Sequence, residues 1–214
     1  MYEGRPIEIS PRLLGALAEA AQADAGRMLL NMVRFDRHEI SACNGHIAAR
    51  YRFERPLDEG FPAFGISRAH VEAITRCTER AVAVEIRPRN QGGKPLAEIS
   101  LPTSSNLHGM QFVVPRGDVS DYPPLDAVGP KPNGEPPPPG IGYDARYLDL
   151  IYRITKYAGF GDTVRVVAWG GLRDATMFEA GPKHGYPKNE HAALRFVVMP
   201  VAPVDLQSFG EALR

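Results

Sequence analysis

Apolar residues recur along this chain in two rhythms that replace one another in a fixed order. After Ser10-Pro11, residues Leu13, Leu14, Leu17, Ala18 and Ala21 share one face, with Arg12, Glu19 and Gln22 opposite. That spacing predicts an amphipathic helix over 11–22, capped by serine and opened by proline in its first turn. Strand-like runs follow at Met28–Asp36, His38–Cys43 and His46–Glu54. The last alternates strictly, with Ile47, Ala49, Tyr51 and Phe53 on one side and Ala48, Arg50, Arg52 and Glu54 on the other, as expected of an antiparallel sheet with one wet face. Asn44-Gly45 between the last two runs is a hairpin signal.

The order then restarts. Phe61–Ile66 reads as a strand, Ser67 as a cap, Arg68–Arg76 as a short helix with Val71 and Ile74 inward, and Val82–Arg87, Leu96–Leu101 and Met110–Val114 as strands. It restarts once more after residue 140. A strand at Ile141–Tyr143 and a capping Asp144 lead into a helix over Ala145–Tyr157 that buries Tyr147, Leu148, Ile151 and Ile154. Strands at Thr163–Trp169, Ala175–Glu179 and Leu194–Val201 complete the series. The chain thus spells strand, helix and three strands three times, with a period of roughly sixty residues. No such unit buries both its helix and its sheet alone, so the expected fold class is α+β, with helices side by side on one face of curved antiparallel sheets.

Between Pro115 and Gly140 the sequence is rich in proline, and Pro136–Pro139 predicts polyproline rather than helix or central strand. The expected organisation is a complete two-unit domain over 1–115, a linker over 116–140, a half domain over 141–201 and a tail over 202–214. Of 214 residues, 43% are hydrophobic and 23% charged, which suits a globular core. Lys+Arg 25 against Asp+Glu 25 leaves no net charge. A wholesale polyanion-binding surface is excluded, while a local basic face is not. No run is long and apolar enough for a membrane span, the N-terminus lacks a signal-peptide pattern, and Cys43 and Cys77 are too few for a disulfide scaffold. The expectation is a cytoplasmic protein without membrane attachment.

Ile141-Gly142-Tyr143-Asp144-Ala145-Arg146-Tyr147-Leu148 resembles the IGFNxRYL that leads into the last helix of the bacterial sliding clamp, the beta subunit of the replicative DNA polymerase. Phe196-Val197-Val198-Met199-Pro200-Val201 resembles the family's closing YVVMPM. Arg27-Met28-Leu29-Leu30-Asn31 with Ala42-Cys43-Asn44-Gly45-His46 resembles the middle domain's RYYLNG…ATDGHRLA, and Asp121-Tyr122-Pro123 its FPDY. The chain resembles a compact clamp: one whole domain, then the second half of the next, with no counterpart of the family's first domain. The resemblance implies a non-enzymatic replication or repair processivity factor whose helices line double-stranded DNA without reading sequence. It also implies a hydrophobic groove for polymerases or repair proteins carrying clamp-binding peptides; for assembly, a homo-oligomeric ring is expected no more than a monomer or a two-fold dimer, because an odd number of units per chain spoils simple head-to-tail closure. The positions that match that groove are Arg27, Leu29, Leu30, Gly45, His46, Ala48, Val197, Val198, Met199 and Pro200. Ala48 stands for a larger leucine, Val201 for a methionine and Ala202 for an arginine. Leu206-Gln207-Ser208-Phe209 loosely resembles the peptides themselves.

The helices supply a separate observation. Arg146, Asp149, Arg153 and Lys156 share the polar face of the third helix. Arg68, Arg76 and Arg80 belong to the second, with His70, and Arg12 to the first. These seven cations are the expected phosphate contacts, against the plainer reading of a solvated helix face. Enzyme chemistry finds little support. There is no phosphate-binding glycine loop, no dinucleotide fingerprint and no GxSxG elbow. His184 and His191 lack the cysteine or carboxylate company of a metal site, and Asp118 and Asp121 read as solvated. No cofactor or metal is expected. The competing expectation is a clamp-fold interaction or regulatory module that does not encircle DNA.

Overall fold

The computed structural model describes residues 2–23, 29–101, 109–123, 125, 129–130, 142–160, 163–169, 175–180 and 194–200. Three strand–helix–strand–strand–strand units follow one another. The first holds β1 (Ile7–Ile9), α1 (Pro11–Glu19), β2 (Met32–Phe35), β3 (Glu39–Cys43) and β4 (Ile47–Arg52). The second holds β5 (Phe64–Ser67), α2 (Arg68–Cys77), β6 (Val84–Gln91), β7 (Lys94–Ser100) and β8 (Gln111–Pro115). The third holds α3 (Ala145–Tyr157), β9 (Val164–Trp169), β10 (Thr176–Ala180) and β11 (Leu194–Val198). Its leading strand, expected at 141–143, is reduced to a single bridge at Gly142.

The units exchange strands. β1 of the first pairs with β6 of the second, and β5 of the second pairs with β2 of the first, both antiparallel. Such reciprocity relates the two units by an approximate two-fold axis. The sheets that result are β1-β6-β7-β8 and the seven-stranded β5-β2-β3-β4-β11-β10-β9. The longer sheet runs unbroken into the third unit because β11 lies antiparallel to β4, with Val197 opposite Ala48 and Val198 opposite Ile47. All strand pairs described are antiparallel, so the fold class is α+β. A register shift between Met177 and Phe178 marks a bulge against β9.

Each helix starts on a side-chain cap. Ser10 Oγ accepts from Leu13 N–H at 3.1 Å, Ser67 Oγ from His70 N–H at 3.4 Å, and Asp144 Oδ1 from Arg146 N–H at 2.9 Å. α1 ends three residues earlier than its apolar stripe predicts. Asn31 Nδ2 donates to the carbonyl of Gln22 at 2.8 Å, and Arg68 Nη1 to that of Ala21 at 2.7 Å, so both act on orphan carbonyls past the last turn. α3 stops at Gly159, whose φ of 75° suits a glycine following a helix. In the Asn44-Gly45 turn only Gly45 has positive φ; Asn44 Oδ1 accepts from the N–H groups of His46 and Ile47, both at 2.9 Å. Gly92 and Gly93, both at positive φ, close the β6–β7 hairpin.

α1 lies between α2 and α3, in contact with both, and the main core fills the space between this helix layer and the sheets. Two sequence expectations need correction. The outward side of the β4 run is wet only toward its end: Arg52 and Glu54 are exposed as expected, whereas Ala48 and Arg50 are both buried. Arg50 is held by Glu39, with Nε to Oε1 at 3.0 Å and Nη2 to Oε2 at 2.7 Å. Ala48 is covered from the segment read as a linker, in which Val119, Tyr122 and Leu125 form a second apolar cluster with Cys43, Ala48, Ala175 and Val197. This strap begins at a two-way backbone bridge between Gly65 and Gly117, with N–H to O distances of 3.0 and 2.8 Å. A Cβ at Gly65 would meet Val119 Cγ1 at 3.0 Å and Met32 Cβ at 3.1 Å, which favours glycine there, whereas at Gly117 it would meet only the flexible end of Met32, at 2.5 Å. The second correction concerns α3, which buries Leu150, Ile151, Ile154 and Thr155, while Leu148 is 43% exposed.

Candidate nucleic-acid interface and partner groove

Six of the seven predicted DNA contacts stand on the three helices and Arg80 in the turn after α2, in unequal states. Arg68 is committed to the fold, bonding Glu72 at 2.7 Å through Nε besides closing the end of α1. Arg153 bridges two helices, with Nη1 at 2.6 Å from both carboxylate oxygens of Glu19 on α1 and Nε at 2.9 Å from Asp149 on its own helix. The hydrogen bond to Glu19, against the cost of burial, raises the Arg153 pKa. Arg146 clasps the capping carboxylate of Asp144 at 2.6 Å and holds the Asp144 pKa down to about 2. Arg12, Arg76, Arg80 and Lys156 have no carboxylate partner among the described residues. Arg76 Nε donates to the Glu72 carbonyl at 3.2 Å, and Lys156 Nζ sits 5.9 Å from the Tyr152 ring centre. A cleft of about 500 Å³ opens on this layer, with Arg12, Arg76 and Tyr157 among its walls and the carboxylates of Glu19 and Glu79 beside them.

The ten positions matched to a peptide groove separate into groups. Leu30, Ala48 and Val197 meet on the outer face of the long sheet with Met32 and Met177. Ala48 and Val197 lie beneath the strap there. Val198 points the other way, into the main core under the helices. Gly45, His46 and Met199 are exposed at the rim, tied by a bond from Met199 N–H to the His46 carbonyl at 2.9 Å; Pro200 adjoins them half-buried. His46 also stacks on Tyr147 of α3 at 6.4 Å. Leu29 is half-buried, and Arg27 lies outside the described residues, as do the tail, His184 and His191.

Sequence reasoning missed Val119, Tyr122 and Leu125. Their spacing of three was the available signal, since a turn closed by Tyr122 N–H on the Val119 carbonyl, at 3.1 Å, brings residues three apart to one side. Tyr122 is the most enclosed polar group of the strap. Its hydroxyl lies beside the Cys43 main chain without a hydrogen bond of normal geometry, Arg34 approaches its ring at 5.7 Å, and burial pushes its pKa up. Cys43 beneath it is buried too, which raises the thiol pKa, whereas Cys77 on α2 is exposed. Among the described residues no His, Cys, Asp and Glu cluster could hold a metal ion, and no helix is long and apolar enough to cross a membrane.

Repeated strand–helix–strand–strand–strand units, joined by strand exchange within a domain and by a continuous sheet between domains, define the DNA-clamp fold. Solved bacterial sliding clamps share it. A C. crescentus beta sliding clamp matches 92% of this chain and 65% of its own at a TM-score of 0.61 and 15% identity. A Pseudomonas aeruginosa DNA polymerase sliding clamp matches 94% and 67% at 0.53 and 13%. Another P. aeruginosa clamp, bound to griselimycin, matches 94% and 66% at 0.54 and 13%. The chain therefore spans about two thirds of the length of these clamps. No family model matches the sequence, nor does any curated protein.

Proposed function

We propose that the chain is a non-enzymatic replication or repair accessory of the clamp type, holding duplex DNA against its helix layer without reading sequence. The observation that carries this reading is the placement of Arg12 on α1, Arg76 on α2, Arg80 just beyond it and Lys156 on α3, none of them in a carboxylate ion pair among the described residues. Mobile cations on one surface suit phosphates and carry no base information. Partner proteins would dock on the rim formed by Gly45, His46, Met199 and Pro200, where Met199 offers a flexible apolar contact at the junction of the first and third units.

The test is DNA affinity as a function of salt. For one chain, with about four phosphates neutralised, the slope of log K against log salt is expected at about −3 to −4, and this contribution should fall by about one for each of Arg76→Ala, Arg80→Ala and Lys156→Ala. Arg153→Ala and Arg68→Ala should leave the slope unchanged. Retention on circular but not linearised DNA would add encirclement. Absence of DNA binding at low salt sinks the reading. It would leave the second one, a clamp-fold interaction module, which the carboxylate pairing of Arg68, Arg146 and Arg153 favours.

A further inference from the structure

The third unit is half of a domain whose other half is not found among the described residues. Its helix shows where that half belongs. Counted from the caps Ser10, Ser67 and Asp144, equivalent positions on the three helices are buried in a regular way. The fourth residue after the cap is Leu14 on α1, Val71 on α2 and Leu148 on α3. It is 1% and 0% exposed in the first two, which pack against each other, but 43% exposed in the third. The eighth is Ala18, Thr75 and Tyr152, and a Cβ placed on Gly15 of α1 would touch Thr75 at 3.5 Å, so this position also belongs to the α1–α2 contact. On α3 it is Tyr152, 47% exposed. The sixth and tenth positions behave oppositely. Ala16 and Ala20 of α1 are buried, as are Leu150 and Ile154 of α3, while Ala73 and Cys77 of α2 are exposed. α1 is thus covered on both flanks, α2 lacks the cover that α3 gives α1, and α3 lacks the cover that α1 and α2 give each other.

The third unit also has an unpaired strand among the described residues. β9 is the outermost strand of the seven-stranded sheet, and Val166 on it is an exposed large apolar residue. In the first domain the equivalent second strands, β2 and β6, each receive the first strand of the sister unit. Among the described residues no strand covers the outer edge of β9, and such an edge, like the exposed pair Leu148 and Tyr152, is a surface that folded proteins rarely leave bare.

We infer that the third unit pairs with the third unit of a second copy, through the Leu148–Tyr152 flank of α3 and the free edge of β9, so that two half domains complete one domain across a two-fold axis. The template is in the chain itself, because the first and second units already meet by this reciprocal arrangement. A second copy fits because a two-fold contact needs only one self-complementary patch. The inference does not rest on DNA binding and would stand if that reading fell.

The test is the mass in solution of the full chain by light scattering across a concentration series. A species of twice the chain mass is expected, dissociating on dilution. Leu148→Glu and Tyr152→Glu are exposed changes that should leave the circular dichroism spectrum intact while weakening self-association at least 100-fold. Ala73→Arg, on the vacant flank of α2, should leave it unchanged. A chain that stays monomeric at every concentration overturns the inference, as does a dimer indifferent to Leu148→Glu. A dimer abolished by Ala73→Arg overturns it as well, since the contact would then lie at the β8 end of the molecule.

Discussion

Truncation of Tyr122 tests whether the strap is part of the folded core. The ring is 6% exposed, set against Cys43, Ala48 and Val197 under a cation from Arg34. Removing a buried aromatic side chain costs about 3–5 kcal/mol. In a chain of this size that corresponds to a fall of about 6–20 °C in melting temperature. Tyr122→Phe should behave in the opposite sense. It keeps the ring and removes a buried hydroxyl that has no hydrogen bond, so stability should be unchanged or higher by about 1 kcal/mol. Urea unfolding of the two variants beside the parent separates these outcomes, provided the slope with denaturant is unchanged. An alanine variant within about 1 kcal/mol of the parent would refute the packing argument. A phenylalanine variant as unstable as the alanine one would refute the claim that the hydroxyl is unpartnered.

Gly65→Ala should cost about 1–3 kcal/mol, because the new methyl meets Met32 and Val119 at 3.0 Å or less, whereas Gly60→Ala, with open space around it, should be neutral; thermal unfolding reads both. A thiol reagent should titrate Cys77 in the native protein and reach Cys43 only after denaturation, because Cys43 is buried and its pKa is raised. Stability should fall on the acid side. Burial acts to raise the Glu179 pKa, but hydrogen bonds from Arg165 and Arg195 bring it below its usual value, and Arg146 lowers that of Asp144 to about 2. A depressed carboxylate stabilises fully above its unfolded pKa and loses that contribution as pH falls through its folded one. Unfolding free energy should therefore decline from about pH 4.5 downward. Glu179→Gln should flatten the upper part of the decline, and Asp144→Asn the part near pH 2.

Local chemistry made the helices legible in the sequence. Ser10, Ser67 and Asp144 cap where their residue types predict, and Ala145–Tyr157 has its predicted bounds. The buried face of α3 was not legible. Tyr147, Leu148, Leu150, Ile151, Tyr152 and Ile154 surround most of that helix, so periodicity alone cannot say which side meets a neighbour. Leu148 was assigned inward on the strength of being apolar; it lies outward because α3 is the last helix of the layer. Arg68 was counted as a free cation, yet its role at the end of α1 depends on a contact between separate units that no local pattern encodes. Likewise Ala48 read as solvent-facing from strand alternation, and only the strap crossing the sheet reverses that.

Charge and assembly bear on one another. Each chain offers few uncompensated cations to a phosphate backbone, and the affinity they supply falls steeply with salt, so a single chain would hold DNA weakly at physiological ionic strength. Affinity could rise by recruiting the paired arginines, but freeing Arg153 would break its bond to Glu19 and loosen α3 from α1. Self-association avoids that cost. In the first domain the two-fold relation leaves α1 and α2 adjacent in one layer, so a second copy docked by the same relation sets its helices beside α3. Two chains would then present twice the number of mobile cations on one continuous surface, and binding through both halves would gain by effective concentration rather than by new contacts. On this argument the Leu148→Glu variant, still folded and with every cation in place, should show about half the salt slope of the parent.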